Sequence, residues 1–447
     1  MYGQLLLPEL QEMLQQHDTL GLREFCDALH PAVIAQVIEN LSNQEIWQVL
    51  DNCGLHRRVE IVEFLTMNRQ LTLVREMDKD HLSALVRDMS PDNCVDLLEK
   101  MDQGEVDSLL QLLAQSQRND IRRLLSYPDD SAGSIMTTEY ASLPEGISVG
   151  EALNQLRLQA PNSETIYYVY IVDEDRRLRG FITLRSLILA KTSACVDAIM
   201  EKDVLSVRVT DDQEQVAQLM ARYNFLAVPV VDQHHQLVGI ITHDDVIDVL
   251  QEEATEDAQL LAAVQPMETG YLTTPLWTIA WKRGGWLLFL FCASFLSAHV
   301  LQSFQHLSKI YEWLALFVPL VIATGGNAAS QTATLVIRTM ALGELDKKSK
   351  YRLIQREFAI GLILGGSLTV CGFVLSLGLI TPYQSLVVVG TVPLVVLTGT
   401  MIGAILPISL KSCGMDPALM STPLIASLLD VFGIVLYFNV ALALLGR

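Results

Sequence analysis

The period of the apolar positions changes three times along the chain. From residue 1 to about 130 it is helical. Within that stretch "REMDKDHLSALV", "RDMSPDNCVDLL" and "EKMDQGEVDSLL" repeat at a twelve-residue spacing marked by Met77, Met89 and Met101. Each copy is a Met, a polar turn and an apolar run, the signature of short helices stacked into a solenoid. An all-α superhelical N domain over 1–130 is the expectation, with a plain helical bundle as the competing arrangement. "SYPDDSAGS" (Ser126–Ser134) reads as a linker.

From 131 to 250 the period shortens to that of strands, and the segment repeats itself. "YVYIVDEDRRLRGFITLRSL" matches "AVPVVDQHHQLVGIITHDDV" at an offset of 59, with Val172-Asp173 on Val231-Asp232, Gly180 on Gly239 and Thr183 on Thr242. Each copy reads as an apolar strand, a polar turn and a Gly-led second strand running into a helix. Met136-Thr137 and Met200-Glu201 open the two copies, and His234 and His235 fall in a solvent-exposed turn. The pattern resembles a tandem pair of CBS domains, an α/β module that often senses an adenosine nucleotide and dimerises. The ribose signature G-x-x-[ST]-x-x-D survives in copy two as Gly239, Thr242 and Asp245; Ser186 stands in the Asp position of copy one. The resemblance makes Thr183, Arg185 and Thr242 the nucleotide candidates, with ATP as a candidate modulator.

Helical spacing then returns in "THDDVIDVLQEEATEDAQLL", through Val246, Val249, Leu250, Leu260 and Leu261. Residues 251–275 are taken as an acidic connecting helix, and 276–447 as a membrane domain. Five apolar stretches there, 278–301, 310–340, 357–380, 385–409 and 422–445, are long enough to cross a bilayer as helices. With the N-terminus inside, the cytosolic flanks hold Lys282, Arg283, Arg338, Lys347, Lys348, Lys350, Arg352, Arg356 and Lys411; the outer flanks hold Lys309 and Arg447. That asymmetry sets the N-terminus in and the C-terminus out.

Charge sharpens the division. Residues 271–447 carry six acids and eleven Lys/Arg, leaving 45 acids and 20 bases in residues 1–270. An acidic cytosolic half repels nucleic acid and attracts cations. No Lys or Arg occurs from Tyr223 to Trp281, while Asp244, Asp245, Asp248, Glu252, Glu253, Glu256 and Asp257 crowd one helix. Acids at i, i+3 and i+4 repel one another. A solvated acidic face is the plain reading; seven uncompensated acids leading into a membrane domain point instead to a cation site, and hard oxygen ligands favour Mg²⁺ or Ca²⁺. The seven cysteines are scattered without a C-x-x-C pair, as free thiols in a reducing compartment are. No basic region followed by an apolar stretch opens the chain, so no cleavable signal peptide is expected.

Two features inside the apolar half carry chemistry. "VPLVIATGGNAASQTATLVIRT" puts Gly325, Gly326 and Asn327 together at membrane depth, which suggests a local break exposing carbonyls, tolerated only where they line a wet cavity or are buried in protein. "IASLLDVFGIVLYF" places Asp430 among apolar residues. A carboxylate at mid-membrane costs about 2.5–3.5 kcal/mol on insertion scales and defaults to function over structure. No Lys, Arg or His within the spans offers a fixed ion-pair partner at that depth, so a mobile cation is the natural counter-charge, and two copies in a homodimer would match a divalent ion.

"VPLVIATGGNAASQTATLVIRTMALGEL", "TGTMIGAILP", "MDPALMSTPLIASLLDVFGIVLYF" and "VGIITHDDVIDVLQEEATEDAQLL" together resemble the MgtE family of bacterial magnesium channels, over essentially the whole chain. The resemblance implies a homodimeric, Mg²⁺-selective channel in the inner membrane, closed by intracellular Mg²⁺. It implies that Asp430 is the pore carboxylate, that Gly325, Gly326, Asn327 and Thr422 line the pore, and that Asp416 sits at its cytosolic mouth. Gating sites would fall on Asp245, Asp248, Glu253, Glu256 and Asp257, with Asp212 and Glu214, and on Asp92, Asp96 and the Gly133 backbone in the N domain and its exit. Asn224 stands where the family commonly has Asp, and Ala329 where it has Gly. The competing readings are a carrier coupling Mg²⁺ to another cation, which five unlike spans disfavour, and a membrane metalloprotease, for which H-E-x-x-H is missing. An anion channel is disfavoured by the acid in the pore. An enzyme is not expected.

Overall fold

The computed structural model describes every residue except Met1, Asp78, Leu112, Glu268, Thr269, Thr273, 342–344, Asp346, 418–421 and 446–447. Of the flanking charges, Arg447 and the side chains of Lys347 and Lys348 lie outside the described residues. Two compact units divide the chain, Met1–Leu250 and Gln251–Arg447.

The first unit opens with ten helices: α1 (Tyr2–Gln16), α2 (Thr19–Ala28), α3 (Pro31–Ile38), α4 (Asn43–Asp51), α5 (Leu55–Glu63), α6 (Met67–Glu76), α7 (Lys79–Asp88), α8 (Pro91–Glu99), α9 (Gln103–Leu110) and α10 (Gln115–Leu124). From α2 onward every helix starts twelve residues after the last. The period glimpsed in three copies therefore runs through nine. Helices pack on the next but one, α1 on α3, α2 on α4, α3 on α5, α5 on α7, α6 on α8 and α8 on α10, which is the solenoid rather than the bundle. Side chains lock that stagger. Glu39 accepts from the Thr66 hydroxyl at 2.6 Å and caps α6; Glu63, 24 residues on, accepts from the Ser90 amide at 3.2 Å and caps α8. Arg57 donates to the Leu29 carbonyl and Arg69 to the Leu41 carbonyl, satisfying carbonyls at helix ends three helices back.

"SYPDDSAGS" is not an open linker. The Ala132 and Gly133 amides donate to the Asp211 and Val209 carbonyls at 2.7 and 3.0 Å, and a Cβ on Gly133 would lie 2.5 Å from the Tyr127 ring. Beyond it two three-stranded sheets repeat one design: β1 (Tyr140–Pro144), β2 (Thr165–Val172) and β3 (Leu178–Thr183), then β4 (Val207–Arg208), β5 (Ala227–Val231) and β6 (Leu237–Thr242). In each, the first strand is parallel and the third antiparallel to the middle one, and Ile171 faces Gly180 as Val230 faces Gly239. Helices α11 (Val149–Gln159) and α12 (Leu184–Leu189) belong to copy one, and α13 (Gln213–Tyr223) to copy two. Arg176 and His235 occupy the same left-handed turn position (φ 62° and 63°), so the paired histidines are exposed turn residues.

The copies brace each other crosswise. Thr137, at the entrance to copy one, exchanges two backbone hydrogen bonds with Ile240 of copy two; Glu201, at the entrance to copy two, does the same with Phe181 of copy one. The glycines explain themselves here. A Cβ on Gly180 would stand 2.7 Å from the Glu201 carbonyl, and one on Gly239 would stand 2.8 Å from the Thr137 carbonyl.

Helix α14 (His243–Leu261) begins eight residues before the expected connecting helix and runs across the unit boundary. The second unit holds α15 (Leu276–Ser303), the short α16 (Gln305–Ile310), α17 (Leu314–Ala341), α18 (Lys347–Ser376), α19 (Pro382–Ser412) and α20 (Thr422–Leu445). Five of these are long and apolar enough to cross a membrane. Helix α18 starts ten residues before its apolar stretch, because "KKSKYRLIQR" is built of good helix formers whose long side chains can snorkel to the interface. One expectation fails. No break occurs at Gly325-Gly326-Asn327, and α17 is continuous through them. The glycines serve contact between helices instead: a Cβ on Gly325 would lie 2.6 Å from Val395, and a Cβ on Gly399 or Gly403 of α19 would lie 2.7 Å from the Gly325 carbonyl or 2.4 Å from the Ala329 carbonyl.

Candidate functional site

Asp430 lies on the ninth residue of α20, half-buried, beside Leu429 and one turn from Ala426. Helices α17 and α20 meet closely here, Gly326 facing Ala426 and Gly433 facing Val321. Among the described residues Asp430 has neither an ion-pair nor a hydrogen-bond partner. On α17, Gly325 and Gly326 are buried between helices, whereas Asn327 is exposed on the surface of the single chain. Thr422 opens α20 and is partly buried; Asp416 is exposed shortly after the end of α19.

Within the same unit Asp257, near the end of α14, is partly buried with its carboxyl raised above the usual range, by burial first and by the Asp416 charge second; Arg338 and Lys411, at the ends of α17 and α19, oppose that shift. Glu253 and Glu256 occupy the preceding turn, Glu253 partly buried and Glu256 exposed.

A larger gathering of acids forms in the first unit. Asp245 accepts from the Thr242 hydroxyl at 2.7 Å and from its amide at 3.3 Å, and Asp244 accepts from the same hydroxyl at 2.5 Å. Burial and the nearby Asp92 push the Asp245 carboxyl up to about 8. Asp92, on the first turn of α8, is raised as well, by burial, and its Oδ1 is buried without a hydrogen-bond partner. Glu164, facing Asp92, Asp244, Glu139 and Glu63, is pushed up to about 7 by burial and then by that company. Glu139 and Glu63 are raised for the same reasons. Like charges this close, with an unsatisfied buried oxygen among them, are costly unless a proton or a cation intervenes. Asp248 lies one turn beyond on α14, raised by burial and by Asp244. Among the described residues no three acid, His or Cys side chains form a ready-made metal cage. A cation that keeps part of its water shell does not need one.

The remaining candidates are dispersed. Asp212 caps α13 through the Gln215 amide at 3.2 Å, and Glu214 accepts from Gln218 at 3.0 Å. Gly133 is buried near them through the Ser131–Asp212 bridge, and Glu99 of α8 is raised first by burial and then by the nearby Asp129 and Asp130 charges. Asp96 is exposed on α8. Sequence reasoning missed Glu63, Glu139, Glu164 and Glu99. The only signal for Glu63 was its capping role, repeated from Glu39; the others come from three separate elements and had none.

The two halves of the tandem repeat differ as sites. In copy one the Thr183 hydroxyl caps α12 through the Ser186 amide at 3.1 Å and meets the Ser186 hydroxyl at 2.8 Å, with Arg185 exposed. In copy two the ribose-type Asp245 is turned into the acid gathering, and Thr242 is buried. Between the copies lies a cleft walled by Tyr168, Tyr170, Phe181, Phe225, Ala227 and Pro229. Asn224, before Phe225, is left-handed (φ 54°) at the end of α13, a position Asn tolerates well.

Comparison with known proteins decides the family. A divalent cation transporter family matches residues 318–440, the MgtE intracellular N domain 29–130, and the CBS domain 132–192 and 196–252. The magnesium transporter MgtE of Thermus thermophilus is 42% identical over 73% of this chain and 72% of its own length, and that of Bacillus subtilis 36% over 72% and 71%. The chain belongs to the MgtE family. Among solved structures, the cytosolic domain of the Mg²⁺ channel MgtE in complex with ATP is 38% identical, with a TM-score of 0.52 over 54% of this chain and 99% of that one. The soluble part of a magnesium transporter gives 35% identity and a TM-score of 0.54 over 56% and 99%. Membership makes this a magnesium-transporter family protein, with a helical N domain, a CBS pair and five apolar helices, and no catalytic family is indicated.

Proposed function

We propose that the chain is a Mg²⁺-selective channel of the bacterial inner membrane, working as a homodimer, with the N-terminus in the cytosol and the C-terminus outside. The observation that carries this reading is Asp430: a carboxylate on an apolar helix of an MgtE-family membrane domain, without a protein partner among the described residues. Two such carboxylates on a dimer axis match a divalent ion. Mg²⁺ gives up water reluctantly, so selectivity would come from outer-shell contacts with Asp430 and with Asn327, which is exposed on the single chain and suited to a face shared with a partner. Asp416 and Thr422 would form the cytosolic mouth.

Closure by cytosolic Mg²⁺ is the companion proposal. Asp92, Asp245 and Glu164, with Asp248, and Asp257 with Asp416, are raised or repelled in ways that a bridging divalent ion would relieve. At low Mg²⁺ these acids push apart; at high Mg²⁺ they close on the ion and hold the pore shut. Glu253, Glu256, Asp212, Glu214, Asp96 and the Gly133 backbone would complete the sensor. The aromatic cleft between the copies suits an adenine ring, and the 38%-identical cytosolic domain solved with ATP supports ATP as a modulator, with Thr183, Arg185 and Thr242 as its candidate contacts.

The test is Mg²⁺ flux into proteoliposomes, wild type beside Asp430→Ala, with Mg²⁺ varied on the cytosolic face. Flux should fall at least tenfold in the variant, about 1.4 kcal/mol of barrier or more, and wild-type flux should fall as cytosolic Mg²⁺ rises. Normal conduction by Asp430→Ala would move the ion path elsewhere. Flux that saturates at carrier-like rates and needs a second cation gradient would favour coupled transport.

A further inference from the structure

Lys282 lies on the seventh residue of α15, among the charges that flank the membrane helices, and such a lysine ordinarily reaches for water or lipid headgroups. Here it does not. Half-buried, it donates from Nζ to the Pro266 carbonyl in the connection between α14 and α15. The Gln265 amide adds a bond to the Lys282 carbonyl at 3.3 Å. The connection doubles back and lies along the first two turns of the helix that follows it.

Its other end is fixed as firmly. Helix α14 closes with the Val264 amide on the Gln259 carbonyl at 2.9 Å and the Ala263 amide on the Leu260 carbonyl at 2.9 Å, with Ala263 left-handed (φ 58°). This is a Schellman ending in which alanine holds the position that usually takes glycine. The Gln259 side chain then reaches forward to accept from the Met267 amide at 2.7 Å. Leu260, Ala263 and Ile279 are buried. The segment from Gln259 to Met267 is hydrogen-bonded to α14 at one end and to α15 at the other, an elbow rather than a slack tether.

We infer that Lys282 is the positioning residue that couples the acidic helix α14 to the membrane domain, transmitting the helix's Mg²⁺-dependent position to α15 through the Gln259–Met267 elbow. The inference rests on closure by cytosolic Mg²⁺. A charge-assisted bond from an ammonium to a carbonyl is strong and short, and breaking it frees one end of the elbow without touching Asp430 or the sensing acids. The acids would still gather on Mg²⁺, but their movement would be spent in the connection.

The experiment measures Mg²⁺ flux in proteoliposomes across a series of cytosolic Mg²⁺ concentrations for wild type, Lys282→Met, Lys282→Arg and Gln259→Leu. Lys282→Met keeps the length and loses the donor. Its half-closing Mg²⁺ should rise at least tenfold while flux without cytosolic Mg²⁺ stays at the wild-type level, and Lys282→Arg should restore most of the response. Gln259→Leu, which loosens the other end, should shift the same way and serves if Lys282→Met does not fold. If Lys282 acted only as a positive charge beside an acidic helix, its loss would tighten Mg²⁺ binding and lower the midpoint. A lowered or unchanged midpoint in both variants overturns the coupling role while leaving Mg²⁺ gating intact. A wild type that Mg²⁺ does not close overturns the gating reading and the coupling with it.

Discussion

The CBS pair and the membrane helices solve the same steric problem in two solvents. Each brings one backbone against another by deleting a Cβ: Gly180 and Gly239 against the Glu201 and Thr137 carbonyls, Gly399 and Gly403 against the Gly325 and Ala329 carbonyls. In the CBS pair the contact is sealed by backbone hydrogen bonds, because those strands have free donors and acceptors to exchange. In the membrane half the helices have used their donors internally, so van der Waals contact has to hold them. Their acids are arranged in opposite ways too. The cytosolic unit crowds Asp92, Glu139, Glu164, Asp244 and Asp245 together, and the membrane unit leaves Asp430 alone among apolar side chains. Both arrangements leave negative charge for a mobile cation to answer. One suits a sensor, where repulsion and the protons that relieve it oppose the ion; the other suits a path, where a single weak site must let go.

The largest effect expected from pressing on this contrast is steric. At Gly403 even alanine brings a methyl 2.4 Å from a backbone carbonyl of a helix that cannot give way alone. Gly403→Ala should cost about 2–3 kcal/mol, at the upper end of overpacking penalties, and lower the melting temperature of the full chain in detergent by several degrees. Gly366 has open space around it and is the control: Gly366→Ala should melt within about a degree of wild type. If both behave alike, the small-residue seam between α17 and α19 is not what holds these helices together.

A smaller effect separates the two kinds of acid. At neutral pH and without metal, Asp245 is largely protonated, since burial and Asp92 push its carboxyl up to about 8. Asp245→Asn is close to the shape and charge of that state, so the metal-free chain should lose little stability. What it should lose is the response: the Mg²⁺ needed for half-maximal thermal stabilisation should rise about tenfold, equivalent to roughly 1.4 kcal/mol of binding. A thermal shift in Mg²⁺ titrations of wild type and variant reads this directly. An unchanged midpoint would take Asp245 out of the sensor.

How far this was legible in the sequence depends on whether the signal was local. The β-hairpins were legible because Val-Asp and Gly recur at a fixed offset, and each has one geometric job. The twelve-residue period was visible only around Met77, Met89 and Met101; elsewhere it is kept by where helices start and by buried Leu, Ile and Val, which carry no distinctive mark. Gly325-Gly326 misled because a missing Cβ reads the same whether it permits a turn or a close helix contact. Asp430 stood out in the sequence because an acid inside a long apolar run is visible within one stretch. Glu63, Glu139 and Glu164 were not, because the N domain and the CBS copies bring them to Asp92 only once folded. The same holds for Lys282, which looks like any flanking lysine until the connection folds back on it.

The subtlest test of the crowded acids is their proton traffic. An exposed carboxyl in the unfolded chain titrates near 4, whereas in the folded chain Glu164 is raised to about 7 and Asp245 to about 8. Between about pH 4 and 8 the folded chain thus holds protons that the unfolded chain has released. Without Mg²⁺, its stability should fall as pH rises through that window and level off above it, opposite in sign to an acid held by an ion pair. Mg²⁺ must displace those protons to bind, so its apparent affinity should climb over the same window. From about pH 6.5 to about pH 7.5 the half-stabilising Mg²⁺ concentration should drop several-fold, up to about tenfold for each proton displaced. Asp245→Asn should flatten that slope, while Asp430→Ala should leave it alone, since the membrane acid stands apart from the group. A midpoint independent of pH in the wild type would mean that the gathered carboxyls are already ionised before the ion arrives, with repulsion relieved by water alone.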